Sequence, residues 1–329
     1  MGKQPYRLPV LGAHATISAM PLHAHVAASA VDRLLLAETT SQHVRRSWSS
    51  RIDLGLLIVG GLVILVALVR WIGRGRPNPL RKSPERPNRM PPDAILFPFL
   101  IYAILALVIM GIGRWLGAAE NDKHVNLLAN NISQIAGAFV CLVVARRWFA
   151  GGARTFVLGL NPSPARRLLA WTVLMWAAAL PLAEAMLRAV ESSVHRVQPD
   201  YVLPQHIVVE TLMTGGEPAW FIMTLWLGAV VIAPIAEEFF FRGLLQTSLV
   251  DLARQGLFRE RPVAARWMAV AAAGVAFGLS HMAQWHAVPA LAVFGIMLGV
   301  AYERTGSLVP PILMHALFNL TTLIGLSLG

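Results

Sequence analysis

Apolar residues run along this chain in long, nearly uninterrupted blocks rather than in the short periodic stripes of a water-soluble fold. A helix needs about 20 mostly apolar residues to cross the hydrocarbon layer of a bilayer. Blocks at 54–69, 94–116, 125–145, 168–190, 220–236 with a continuation, 267–282, 286–302 and 308–328 predict eight such helices. The expected fold is therefore all-α, a polytopic transmembrane bundle. Arg51 and Arg70 flank the first block, Trp71 extends it toward the interface, and the first membrane helix is expected over 51–72. Residues 1–50 mix prolines, histidines and arginines and are expected to form a mobile arm. Residues 73–93 carry six prolines and a cluster of arginines, which argues against a helix there and for a basic linker.

Composition sharpens this reading. Hydrophobic residues make up 56% of the 329 and charged ones only 14%, against about 25% charged in a soluble domain. A water-soluble domain and a disordered chain are both excluded. The net charge of +11, from 28 basic and 17 acidic residues, suggests a nucleic-acid partner only until its placement is considered. The arginines cluster in loops between apolar blocks, as cytoplasmic loops of membrane proteins do, so the partner is the lipid bilayer and no nucleic acid is expected. Arg146, Arg147, Arg154, Arg166 and Arg167 mark one loop as cytoplasmic, as do the residues of the 73–93 linker. Glu191, Asp200, Glu210 and Glu217 suit the opposite side. The lone Cys141 excludes an intrachain disulfide and a cysteine-ligated metal.

Charged side chains inside apolar spans are costly and mark functional candidates. Glu237 and Glu238 precede Arg242 in Ala233-Pro-Ile-Ala-Glu-Glu-Phe-Phe-Phe-Arg-Gly. On a helix Glu238 and Arg242 share a face, while Glu237 points about 100° away. A structural ion pair accounts for the first two and leaves Glu237 without a purpose. Pro234 removes a backbone hydrogen bond and could open room for water. Further on stand Phe277-Gly-Leu-Ser-His281 and His315-Ala-Leu-Phe-Asn319, the latter pair one turn apart. Singly these read as satisfied polar residues. Together, a carboxylate, two imidazoles and an amide on three apolar helices form a plausible hydrolytic set. Gln284 and His286 are expected to sit at the interface without a special role.

The ordered motifs Glu-Glu-x-x-x-Arg, Phe-x-x-x-His and His-x-x-x-Asn resemble those of the CPBP family, also called Abi, the intramembrane glutamic endopeptidases typified by the type II CAAX prenyl protease. The resemblance covers roughly residues 219–329, implying a catalytic helix core there and accessory helices and loops over 94–218. It implies that Glu237 and His281 activate a water, that His315 and Asn319 stabilise the oxyanion, and that Glu238 and Arg242 order the site. The implied substrate is a membrane protein or lipidated peptide, and the implied location is a bacterial inner (plasma) membrane. No cofactor is favoured. Zinc held by Glu237, His281 and His315 is the alternative that the same side chains allow. Other classes consistent with the sequence are a non-catalytic scaffold or bacteriocin-immunity protein and a proton-coupled transporter.

Depth sets a condition on this site. With Arg242 expected at the cytoplasmic edge, Glu237 lies about 7–8 Å inside and His315 about 10 Å, at 1.5 Å per residue. Counted from Arg266, His281 lies about 22 Å inside. The three share a level only if the helix of His281 starts below the membrane surface or tilts strongly.

Overall fold

The computed structural model describes residues 54–328 apart from 76, 120–121, 161–163, 205–207, 209–210 and 212–215. The amino-terminal arm and Arg51 lie outside the described residues. Nine helices follow in order among those described. They are α1 (Leu54–Gly73), α2 (Leu96–Trp115), α3 (Lys123–Trp148), α4 (Gly152–Leu158), α5 (Ala165–Val197), α6 (Ala219–Gln255), α7 (Pro262–Leu279), α8 (Val288–Thr305) and α9 (Val309–Leu328). All but the short α4 are long and apolar enough to cross a membrane, so the chain is an all-α polytopic bundle of eight spans. Alpha-4 lies in the basic loop and was not foreseen from the apolar pattern.

Local chemistry places several helix starts. Asp122 Oδ1 accepts from the backbone N–H groups of His124 and Val125, capping α3. Prolines occupy the first turns of α7 and α8, where no N–H is required. Alpha-6 departs most from its expected span: it runs 37 residues, about 55 Å. Two π-wound stretches, Gly228–Ile232 and Phe239–Gln246, bracket its Ala233–Glu238 segment.

Small residues let the helices approach closely, as membrane packing requires. At the α7–α8 crossing a Cβ on Gly274 would lie 2.7 Å from the Ile296 nitrogen, and one on Gly278 would lie 2.7 Å from the Val288 carbonyl oxygen. Alpha-1 touches α5 at Gly60. Pro181, inside α5, has no N–H for the Ala177 carbonyl four residues back. A Cβ on Gly60 would lie 2.2 Å from that same oxygen. The outward faces of α1 and α2 expose Leu62 and Leu107, apolar surface suited to lipid.

The linker is no free tether. It contains no helix between residues 77 and 91, as its prolines dictate, yet it is strapped across one end of the bundle. Leu80 is fully buried. The Arg89 N–H donates to the Trp148 carbonyl at 2.9 Å, and the Ala150 N–H to the Pro87 carbonyl at 3.0 Å. Arg254 Nη1 donates to Glu85 at 2.8 Å and Arg266 Nη2 at 2.7 Å, and these guanidinium groups hold the Glu85 carboxyl below the usual carboxylate range. The basic loops thus gather at one end. At the other, Glu217 pairs with Lys123 and with His124 Nε2. That grouping agrees with the alternation expected from the charges.

Gly60→Val should clash with the Ala177 carbonyl and lower stability by about 1–3 kcal/mol. Gly61→Val, at a position where an added Cβ meets nothing within 4 Å, should leave it nearly unchanged. Thermal unfolding of the two purified variants in detergent checks the difference.

Candidate active site

The site forms where α6, α7, α8 and α9 converge. Glu238 and Arg242 are both fully buried. Arg242 Nη1 donates to Glu238 Oε1 at 2.8 Å, and Nη2 donates to the Gly295 carbonyl at 2.9 Å. The same Glu238 oxygen lies 3.1 Å from His315 Nδ1. With Arg242 already donating to it, this oxygen is an acceptor toward the ring, so His315 is oriented by Glu238 and turns Nε2 the other way. Nε2 then lies 3.9 Å from Glu237 Oε2, an oxygen that is buried and accepts no hydrogen bond from the described residues. The Glu237 side chain is 21% exposed. Glu238 Oε2 is likewise buried without a partner, so the two carboxylates differ in that Glu238 is wholly buried and bonded through one oxygen while Glu237 is partly exposed.

Phe277 ties the rest together. Its ring centroid is 5.2 Å from that of His281 and 5.4 Å from that of His315, and the Arg242 guanidinium carbon lies 4.7 Å over its face. His281 follows the end of α7, with Nδ1 3.0 Å from the Phe277 carbonyl oxygen and 3.2 Å from Ser280 Oγ. Both imidazoles thus flank one aromatic ring. Asn319 Nδ2 donates to the Ala229 carbonyl at 2.7 Å. In the π-wound stretch the Ala233 N–H bonds back five residues to Gly228. The next donor in that pattern is residue 234, a proline without an N–H. Asn319 thereby supplies the hydrogen bond that Pro234 cannot, and one of its two amide hydrogens remains for another acceptor.

The depth condition is met differently from either alternative. Arg242 does not mark an edge: it is wholly buried, and α6 continues thirteen residues beyond it to Gln255. Glu303 on α8 pairs with Arg266 on α7, and Gly295, which meets Arg242, lies eight residues inward from Glu303. That places Arg242 about 12 Å inside the Glu303–Arg266 level at 1.5 Å per residue. Gly274 on α7 packs beside Gly295. Counting onward from that common level, Glu237 lies about 7.5 Å further in and His281 about 10 Å. The discrepancy came from the assigned position of Arg242.

No three His, Cys, Asp or Glu side chains among the described residues converge closely enough to hold a metal ion. His286 is buried rather than interfacial, with 6% of its surface exposed.

Sequence reasoning missed several contributors. Phe156 of α4 seats against Gly243, where a Cβ would lie 2.3 Å from its ring, so the Arg-Gly pair needs the glycine for packing. Asn131 of α3 donates to the Thr224 carbonyl beside the same π-wound stretch. Glu303, Gln246 and Arg266 form a buried cluster below the site. A search for ionisable residues within the α8 span would have flagged Glu303, whereas nothing local in the sequence distinguishes Phe156 or Asn131.

Paired glutamates, one bonded to an arginine, thus stand beside two imidazoles inside a bundle of helices long and apolar enough to span a membrane. Residues 218–321 match the family described as Type II CAAX prenyl endopeptidase Rce1-like, which agrees with the CPBP resemblance of the motifs. The match spans all seven motif residues. Comparison with curated proteins and with solved structures returned no match. The match covers about a third of the 329 residues and supports an intramembrane endopeptidase at the level of that family, in an integral multi-pass membrane protein.

Arg242→Met should strand Glu238 as an unpaired buried charge and lower stability by about 3–5 kcal/mol. Glu237→Gln should cost less than about 1 kcal/mol, because Glu237 has no such partner to lose. Chemical denaturation in a fixed detergent compares the two.

Proposed function

We propose that the chain hydrolyses a peptide bond of a membrane-associated protein or lipidated peptide, with Glu237 as the general base. The observation that carries this reading is the asymmetry of the two glutamates. Glu238 is wholly buried and held through Oε1 by Arg242 and His315, with its Oε2 enclosed and unbonded, whereas Glu237 keeps 21% of its side chain exposed and so is the acid that a water can reach. A carboxylate so placed takes a proton from water as that water attacks the scissile carbonyl carbon. The carbon–oxygen bond forms and the carbonyl oxygen gains the negative charge. His315, which with Nδ1–H given to Glu238 donates from Nε2 only as the doubly protonated ring, and the second amide hydrogen of Asn319 are the groups on hand to meet that oxyanion. His281, on the far side of the Phe277 ring, is the second imidazole able to share the proton of the water. Collapse of the tetrahedral species breaks the carbon–nitrogen bond, and the proton held by Glu237 passes to the leaving amine. No step is routed through a metal.

The substrate class follows from the surroundings and from the family. The groups lie below the end of an apolar bundle, so the scissile bond must enter from a chain already at the membrane. The matched family is described as a type II CAAX prenyl endopeptidase, and a lipidated peptide is the substrate proposed here.

Peptides with and without a carboxyl-terminal prenyl group should be incubated with detergent-purified protein, with and without a chelator. The wild type should cleave, and Glu237→Gln should lose at least about 100-fold in turnover. Activity should survive the chelator. Full turnover by Glu237→Gln would reject Glu237 as the base. An unchanged cellular phenotype for that variant would favour a scaffold, and activity lost to the chelator and restored by zinc would overturn the metal-free route.

A further inference from the structure

Below the site, α6 and α8 run in the same direction and are joined by rungs one helical turn apart. Arg242 donates to the Gly295 carbonyl at 2.9 Å. Four residues along both helices, Gln246 Nε2 lies 3.2 Å from the Gly299 carbonyl oxygen, and it also reaches Glu303 Oε1 at 3.0 Å. The carbonyls are reachable because glycine carries no side chain: a Cβ on Gly299 would lie 2.7 Å from Gln246 Oε1. Both donors on α6 belong to the π-wound stretch Phe239–Gln246. Such winding is rarer and weaker than the α form and persists where tertiary contacts hold it.

The foot of this ladder is completed from outside the family-matched residues. Glu303 is wholly buried and takes Arg266 Nη1 at 2.7 Å. Its other oxygen pairs with Arg86 of the linker. The Arg86 guanidinium also stacks 4.3 Å above the Tyr302 ring. The Tyr302 hydroxyl lies 3.2 Å from Thr247 Oγ1, which lies 3.3 Å from the Arg242 carbonyl oxygen. Two chains of contact therefore leave Arg86 and end on the π-wound stretch of α6. One runs through Glu303 to Gln246, the other through Tyr302 and Thr247 to the Arg242 carbonyl.

We propose that Arg86 is a positioning residue for the peptidase reaction, holding from the linker the winding of α6 that aims Glu237 and Glu238. The proposal rests on the peptidase reading given above. Without the Arg86 guanidinium, Glu303 retains Arg266 and Gln246 as partners and draws on them more strongly. The Gln246 amide is then pulled off Gly299, the π winding loses a rung, and Arg242 shifts with the Glu238 and His315 that depend on it. Among the other strap contacts, Glu85 and the Pro84 carbonyl reach Arg266 at the foot of the ladder, whereas the Asn88 side chain meets Asp251 and the Arg86 carbonyl but no ladder side chain. Asn88 Nδ2 donates to Asp251 at 2.8 Å, and Glu85 remains 63% exposed. Loosening the strap at Asn88 should leave the site in place.

The chain contains its own reporter of strap position. Cys141, the single cysteine, is buried in the cluster against which Met90 and Ile95 at the end of the strap pack. Its alkylation rate rises when that segment lifts. Full-length wild type, Arg86→Ala, Arg86→Lys and Asn88→Ala should be compared for kcat, KM and Cys141 alkylation by a maleimide, using a prenylated peptide. Arg86→Ala should lower kcat by at least about tenfold with KM within about twofold. Arg86→Lys, which keeps a charge for Glu303, should recover part of the loss and serves as the readout if the alanine variant does not fold. Asn88→Ala should keep wild-type kcat even where alkylation quickens. Wild-type kcat in both Arg86 variants would overturn the proposal, and so would losses at Arg86 and Asn88 that simply track alkylation. A wild type that cleaves nothing would instead sink the peptidase reading, and the proposal with it.

Discussion

One buried carboxylate organises this molecule's core. Glu238 stands fully enclosed by α6, α8 and α9, where an unpaired charge would be very costly. A single oxygen of it meets both the Arg242 guanidinium and the His315 ring. Three helices are thereby fixed relative to one another, since Arg242 also holds the backbone of α8 at Gly295. The same contact distinguishes the two glutamates. Glu238 is enclosed and bonded through Oε1, while Glu237 faces His315 Nε2 with part of its side chain exposed.

The backbone is shaped to permit this. An ordinary helix with a proline at 234 would leave a carbonyl without a partner inside the membrane, where no water is at hand to satisfy it. Here the preceding turn is π-wound, and Asn319 from α9 satisfies the Ala229 carbonyl. Glycines at 274, 278 and 295 bring α7 and α8 close enough for Phe277 to lie under both imidazoles and over Arg242. Asn319 and Pro234 are in this sense complementary: each makes sense of the other. The role first inferred for Asn319 from family resemblance, oxyanion stabilisation, draws on its remaining hydrogen and is compatible with the structural one.

The bundle was legible in the sequence because membrane spans announce themselves by length and apolarity alone, and the eight blocks became eight helices. The pairing of Glu238 with Arg242 was legible because i,i+4 spacing on a helix is local geometry. The depth of Arg242 was not. An arginine near the end of an apolar run normally marks an interface, and only the continuation of α6 through Gln255 shows otherwise. The docking of the linker was invisible for a related reason. Its prolines correctly excluded a helix, but Arg86 meets Glu303 across 217 residues, and no local pattern encodes so distant a pairing. The winding of α6 likewise depends on partners from α3, α8 and α9.

The most direct test of this arrangement is a double-mutant cycle across the buried pair, with unfolding free energies measured for Arg242→Met, Glu238→Gln and the two combined. If Glu238 is the charge that needs Arg242, removing both should be less damaging than removing the arginine alone, with a coupling of at least about 1 kcal/mol. Effects that simply add, to within about 0.5 kcal/mol, would contradict the claim that this carboxylate holds the core together.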